Sequence, residues 1–170
     1  MVGEPADTPA FAVDCLDAWC ASELRRCYPH ATRLLIEADG GGSNSARSRV
    51  WKARLQDQIA DRYGLEVTVC HYPPGASKWN PSEHRLFSEI SKTWAGCPLR
   101  TWERMLDLIR QTRTDTGLWV VAQRNQRVYP TGGKVADAEL DQLNLVHHVV
   151  CPQWNYTIRP RGPAPFAVAA

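Results

Sequence analysis

The sequence predicts an α/β domain built around a parallel pair of strands. Three observations carry that reading. Two short apolar runs, residues 33–38 (RLLIEA) and 65–70 (LEVTVC), flank a helical stretch, and a strand–helix–strand order implies a right-handed crossover and a parallel pair. Helical apolar spacing recurs before and after this unit. Beyond Gly117 the pattern turns to short β-like runs, a β-rich C-terminal extension of the sheet. The 170 residues suit one domain, and 44% hydrophobic with 22% charged residues are globular proportions, not those of a disordered or collagen-like chain.

Taken in order, Ala12, Cys15, Leu16, Trp19, Cys20 and Leu24 recur at helical spacing, so residues 10–27 form a helix that Pro29 closes. The run 33–38 is short, apolar and bounded, like a buried strand; it ends at Asp39, followed by Gly40, Gly41 and Gly42. Residues 45–63 form a second helix, with Val50, Leu55 and Ile59 on its apolar side and Gly64 as its stop. Residues 65–70 alternate and are rich in Val and Thr, which makes them a strand. After the loop 71–80 (HYPPGASKWN) a helix starts cleanly: Asn80 is the cap, Pro81 the first helical residue and Glu83 lies three past the cap. It runs to Trp94. Another helix covers 101–112, strands cover 118–123 and 127–129, a short helix covers 137–143 and a last strand 145–150. Residues 1–158 are expected as one domain and 159–170, rich in Pro and Ala, as a flexible tail.

Several function classes drop out. The longest apolar run, 118–122, is far below the roughly 20 residues of a membrane span. Residues 1–7 carry Glu4 and Asp7 and no basic group, unlike a signal or transit peptide, so a soluble cytoplasmic protein without a membrane partner is expected. The six cysteines form no Cys-x-x-Cys pair and read as reduced, mostly buried small hydrophobes. His147, His148 and Cys151 are close in sequence but lack a fourth metal ligand. The net charge of +2 hides an asymmetry: residues 1–39 sum to −4, 40–104 to +4, 105–134 to +3 and 135–170 to −1. A basic middle suits a polyanion, although an ordinary solvated surface has the same look.

Asp39 stands at the carboxyl end of a buried strand, where open α/β sheets place ligands, and the glycines after it remove side chains so that a backbone or phosphate can approach. Glu83 admits two readings. Asn80-x-x-Glu83 imitates a capping box. Yet Glu83, Phe87, Ile90 and Trp94 share one helix stripe, which would aim the carboxylate at the core, a position costing several kcal/mol unless it is paired or bound to a metal. Two converging carboxylates make an oxygen-rich site suited to Mg²⁺ or Mn²⁺. Lys78, Trp79 and Asn80 beside it offer charge and stacking to a DNA strand. Asn44, Arg47, Arg49 and Lys52 follow the glycines, near enough to meet phosphates; the basic ones serve equally as a solvated helix face.

The runs 39–44 (DGGGSN), 47–52 (RSRVWK), 70–75 (CHYPPG), 77–80 (SKWN) and 83–88 (EHRLFS), with 94–99 (WAGCPL), 116–118 (TGL) and 154–158 (WNYTI), resemble the catalytic domain of the Rhodopirellula-type DDE transposases of bacterial insertion sequences, the ISAzo group. The likeness extends over roughly residues 7–158. It implies an RNase H-like fold, with a mixed sheet and helices on both faces. It implies DNA strand cleavage and strand transfer at insertion-sequence ends, with Asp39 and Glu83 as the second and third acids of a triad that holds two divalent ions. No residue here matches the family's first catalytic Asp, which lies on the opening strand of the sheet. The chain is therefore expected to be the C-terminal part of the domain, a truncated copy with weak metal binding whose catalysis leans on a complementing N-terminal fragment, and its open sheet edge should favour association. The alternatives are a non-catalytic DNA-binding remnant and a different RNase H-like nuclease.

Overall fold

The computed structural model describes residues 2–3, 7–73 and 75–162. The elements follow in the order β1 (Val2–Gly3), α1 (Pro9–Trp19), α2 (Arg25–Cys27), β2 (Arg33–Ala38), α3 (Arg49–Arg54), β3 (Glu66–His71), α4 (Ser88–Trp94), α5 (Trp102–Gln111), β4 (Arg124–Asn125), α6 (Asp137–Leu140), β5 (Leu145–His147) and β6 (Asn155–Ile158). π-helical stretches join α1 to α2 (Cys20–Leu24), prolong α3 (Leu55–Asp61) and lead into α4 (Glu83–Phe87). The chain divides into two compact units, Pro5–Pro74 with Tyr129–Ala170, and Met1–Glu4 with Gly75–Val128.

The first unit is built on a four-stranded mixed sheet of order β2-β3-β6-β5. β2 and β3 run parallel from Arg33↔Glu66 to Ala38↔His71, as the sequence predicts, and β6 lies antiparallel to both β3 and β5. Helix starts are set by hydroxyl caps. Thr8 Oγ1 accepts from Phe11 N–H at 3.2 Å with Pro9 as the first helical residue, and Ser48 Oγ accepts from Trp51 N–H at 3.2 Å. That second cap moves the predicted start of α3 from residue 45 to Arg49. The core gathers Val13, Cys20 and Leu24, Trp51, Leu55, Ile59 and Ala60, Leu65 just before β3, and Val67, Val69, Tyr156 and Ile158 from the sheet. Each large side chain buried there contributes roughly 1.5–3 kcal/mol. Trp51 Nε1–H donates to Tyr156 Oη at 2.9 Å and so ties α3 to β6.

The sequence reading gives no strand at 155–158, yet β6 sits between β3 and β5. Tyr156, Thr157 and Ile158 are all buried, so the segment has no alternation to announce it. β5 is shorter than the predicted 145–150: Val149 and Val150 are exposed and Cys151 takes φ 50 in the turn before β6. Gln56 is fully buried and satisfied on both sides of its amide. Its Nε2 donates to Asp61 Oδ1 and to Arg159 O, both at 2.8 Å, and its Oε1 accepts from Asn144 N–H at 2.8 Å. Arg159 also donates to Glu66 at 2.8 Å, and Arg161 pairs with Asp57 and Asp61, so the head of the predicted tail is tied to the sheet and α3; residues 163–170 lie outside the described residues. Replacing Gln56 by Leu strands the Asn144 N–H and the Arg159 carbonyl, with an expected loss of about 1–3 kcal/mol for each group. Urea unfolding checks it.

In the second unit Asn80 Oδ1 accepts from Ser82 N–H at 3.0 Å, and Thr101 Oγ1 accepts from Arg104 N–H at 3.1 Å to open α5. Ile90, Leu106, Ile109 and Ala122 form a small core, with Leu86, Trp94, Met105 and Val120 packed around it. The predicted strand 118–123 keeps its alternation, Val120 and Ala122 inward and Trp119 and Val121 each 72% exposed, but not its ladder. Its one pairing is the isolated bridge Arg113↔Trp119, and the paired segment is Arg124–Asn125 beside Val2–Gly3. Residues 127–129 are likewise outside any strand. A strand needs a neighbouring edge, and alternation alone does not provide one.

Candidate functional site

β2 ends at Ala38 and delivers Asp39 to solvent. Asp39 Oδ1 accepts from Gly41 N–H at 2.9 Å, closing a tight turn, and among the described residues Oδ2 has no donor. Gly40 takes φ +75, a conformation that L side chains rarely adopt. A Cβ on Gly41 would stand 3.2 Å from Oδ1 and 3.4 Å from Oδ2. Gly41 therefore first makes room for the carboxylate of Asp39 itself. Gly40→Ala is expected to destabilise the unit by about 1–2 kcal/mol. Gly41→Ala should leave stability nearly unchanged and displace the Asp39 side chain instead, which carboxylate ¹³C shifts would register.

A 3₁₀ turn, Gly42–Asn44, follows and is held from below by a residue the sequence reading leaves in a loop. His71 is buried at the end of β3. Its Nε2 lies 2.7 Å from the Asn44 carbonyl oxygen and its Nδ1 2.7 Å from that of Trp154. One imidazole thus fastens the Asp39 loop and the turn before β6 to the tip of β3. The signal was available: His71 follows Val67 and Val69 at period two, on the inward face. Asn44 Oδ1 is buried without a partner.

The basic residues after the glycines divide. Arg47 is exposed, and among the described residues its guanidinium has no ion pair. Arg49 is held by Asp137 at 2.5 Å and by the Val135 carbonyl oxygen at 3.4 Å, so its charge is largely matched. Lys52 is half-buried with its Nζ 5.1 Å from the centroid of the Tyr156 ring, and burial holds its ammonium pKa below the ordinary value. It is not part of a solvated helix face. Tyr156 itself is fully buried, and its phenol is pushed upward in pKa, chiefly by desolvation.

In the second unit, Glu83 corrects both sequence readings. Its carboxylate is exposed and, among the described residues, has no hydrogen bond or ion pair, so it neither faces the core nor closes a capping box. The inward line is Leu86, Ile90 and Trp94, and Phe87 is 50% exposed. The stripe through residues 83 and 87 lies at the border of that line, and the cap is made by the Asn80 amide alone. Trp79 is 69% exposed, with Lys78 Nζ 4.9 Å from its ring centroid. His84 Nε2 lies 2.7 Å from the Lys78 carbonyl oxygen and fixes this Lys-Trp turn to the helix that carries Glu83.

Asp39 Oδ2 and the two oxygens of Glu83 are hard donors of the kind Mg²⁺ and Mn²⁺ take. Among the described residues no group of three or more His, Cys, Asp or Glu side chains is gathered for a metal ion; the donor chemistry of these carboxylates fits such ions. His147 and His148 are engaged by the Pro152 carbonyl oxygen and Thr157 Oγ1. The six cysteines are free thiols; Cys20 is buried, its pKa pushed up to about 11 chiefly by desolvation, whereas Cys27 and Cys151 are exposed, contrary to a mostly buried set. Among the described residues no helix is long and apolar enough to cross a membrane.

A sequence profile of the Rhodopirellula transposase DDE domain matches residues 1–160. No curated protein and no solved structure matches the chain.

Proposed function

Because the chain belongs to the Rhodopirellula transposase DDE domain family, whose members serve DNA transposition with divalent metals, we propose that it cleaves and transfers DNA strands at insertion-sequence ends with Asp39 and Glu83 as metal-holding carboxylates. The observation that carries this reading is Asp39, exposed at the tip of β2, which is an edge strand with alternate residues exposed and not the buried strand the sequence predicts, oriented by the Gly41 N–H and left with one free oxygen. The parallel β2–α3–β3 crossover that presents it supports an RNase H-like fold. When bound, divalent ions supply the charge that stabilises an in-line displacement at phosphorus.

The chain's own residues bind and orient the DNA. Arg47 and Lys78 offer exposed cations to phosphates, and Trp79 offers a stacking face. Asn80 caps the helix that starts beneath Glu83 and so fixes where that carboxylate begins. Asn44 holds the glycine turn through His71, Lys52 lends a half-buried positive charge behind it, and Arg49 secures the start of α3 through Asp137. Trp79→Ala is expected to weaken single-stranded DNA binding by about tenfold to a hundredfold, at the scale of one base stack, without lowering the melting temperature. Fluorescence anisotropy reads the first and circular dichroism the second.

Mg²⁺-dependent nicking of supercoiled DNA, stopped by EDTA, tests the reading. DNA binding that falls steeply with salt and comes without any nicking would favour the non-catalytic DNA-binding alternative instead.

A further inference from the structure

We infer that His71 is a positioning residue: the Nε2 arm of its ring holds the loop that carries Asp39 where the carboxylate can take a metal ion, an inference that rests on the metal-holding role of Asp39 proposed above. The tip of β3 grips both ends of that loop with two consecutive residues. Tyr72 N–H donates to the Ala38 carbonyl at 2.7 Å, just before Asp39, and His71 Nε2 lies 2.7 Å from the Asn44 carbonyl oxygen at the far end. Three of the five residues between those anchors are glycines, whose backbone wanders unless its ends are held. Inside the loop, Asp39 Oδ1 accepts from Gly41 N–H, which ties the carboxylate to the loop's own backbone. Wherever the loop goes, the carboxylate goes with it.

The ring is itself held in place. His71 is buried on the inward face with Val67 and Val69, and its centroid lies 5.9 Å from that of the Tyr156 ring. A carbonyl oxygen only accepts, so each arm is a hydrogen bond when its ring nitrogen carries hydrogen. The two arms differ in what depends on them. The Nδ1 arm meets the Trp154 carbonyl oxygen, which His71 N–H also reaches at 3.3 Å, in a turn that the β3–β6 pairing already fixes. The Nε2 arm alone among the ring's contacts reaches the glycine loop. Beyond Asn44 the chain has other supports: Ser48 Oγ caps α3, and Trp51 lies in the core. Loss of the Nε2 arm therefore frees the loop and its carboxylate while the sheet and α3 stay in place.

Two amide substitutions separate the arms. His71→Gln carries an amide nitrogen at the ε position and keeps a donor for Asn44; His71→Asn carries one at the δ position and keeps a donor for Trp154 alone. Each gives up one hydrogen bond of the ring, so their melting temperatures should fall alike. Without metal, His71→Asn should speed hydrogen exchange at Gly41 N–H and move the Asp39 carboxylate ¹³C shift, and His71→Gln should return both towards wild type. Mn²⁺ affinity, read by amide broadening at residues 40–42 on the full chain with DNA present, should fall about tenfold to a hundredfold in His71→Asn, the scale for outer partners of a metal ligand, and recover in His71→Gln. In wild type, which needs no variant to fold, a long-range ¹H–¹⁵N spectrum should show hydrogen on His71 Nε2. An Nε2 without hydrogen, two variants that disturb Gly41 and Asp39 equally, or two that disturb neither would each overturn the inference. Disturbance by His71→Asn alone, in a chain whose wild type takes up no Mn²⁺, would fault the metal reading and still bear out His71 as the residue that places Asp39.

Discussion

Asp39→Asn is expected to lower Mg²⁺-dependent DNA cleavage by at least about a hundredfold, the scale on which removal of one electrostatic group from a reacting centre is felt. The substitution keeps the side-chain oxygen that accepts from Gly41 N–H, so the turn survives and only the charge is lost. Stability should stay within about 0.5 kcal/mol of wild type, as for other exposed positions. Glu83→Gln should behave alike, since that carboxylate has no hydrogen bond or ion pair to lose among the described residues. Cleavage assays paired with thermal melts separate loss of chemistry from loss of fold. DNA affinity measured alongside should fall far less than cleavage, because Arg47, Lys78 and Trp79 are untouched.

The largest stability effect is expected at Tyr156. Tyr156→Ala should cost about 3–5 kcal/mol, as for other large buried side chains, and unfold the first unit in milder urea. Tyr156 is fully buried on β6, in the middle of the sheet, where it pairs with Val69 and with His147. Truncation also removes the acceptor of Trp51 Nε1–H and bares that donor in a dry core. Tyr156→Phe isolates the second part: the packing stays, the acceptor goes, and a smaller loss of about 1–3 kcal/mol is expected. His71 and Lys52 both lie against this ring, so the alanine variant should also loosen the turn beyond Asp39.

What could be read from the sequence was whatever local chemistry decides. β2 and β3 stand within a residue of their predicted bounds because punctuating residues and β-branched runs delimit them. α5 begins where Thr101 supplies a cap. Asp39 could be placed for the same reason, as the residue between a strand and a glycine run. Nonlocal facts stayed hidden. β6 exists because β3 and β5 leave a place between them, and its consecutive buried residues carry no period. The segment 118–123 has the period and lacks the neighbour. The match of Arg49 with Asp137 spans 88 positions. Glu83 was misjudged by extending the stripe one turn too far: Ile90 and Trp94 face the small core as predicted, but Leu86 and not Phe87 continues their line, and the π-helical turn 83–87 leaves the carboxylate exposed. His71 was misjudged by assigning the end of a strand to a loop, which concealed the inward parity that makes it a clamp.

The measurement that bears most directly on Asp39 and Glu83 as the metal-holding carboxylates is a Mn²⁺ titration followed by amide NMR on the full chain with DNA present. The expected result is paramagnetic broadening at residues 40–42 and at 82–84 over the same range of Mn²⁺, reversed by excess Mg²⁺. Broadening at one loop while the other stays sharp, or at neither, would contradict it.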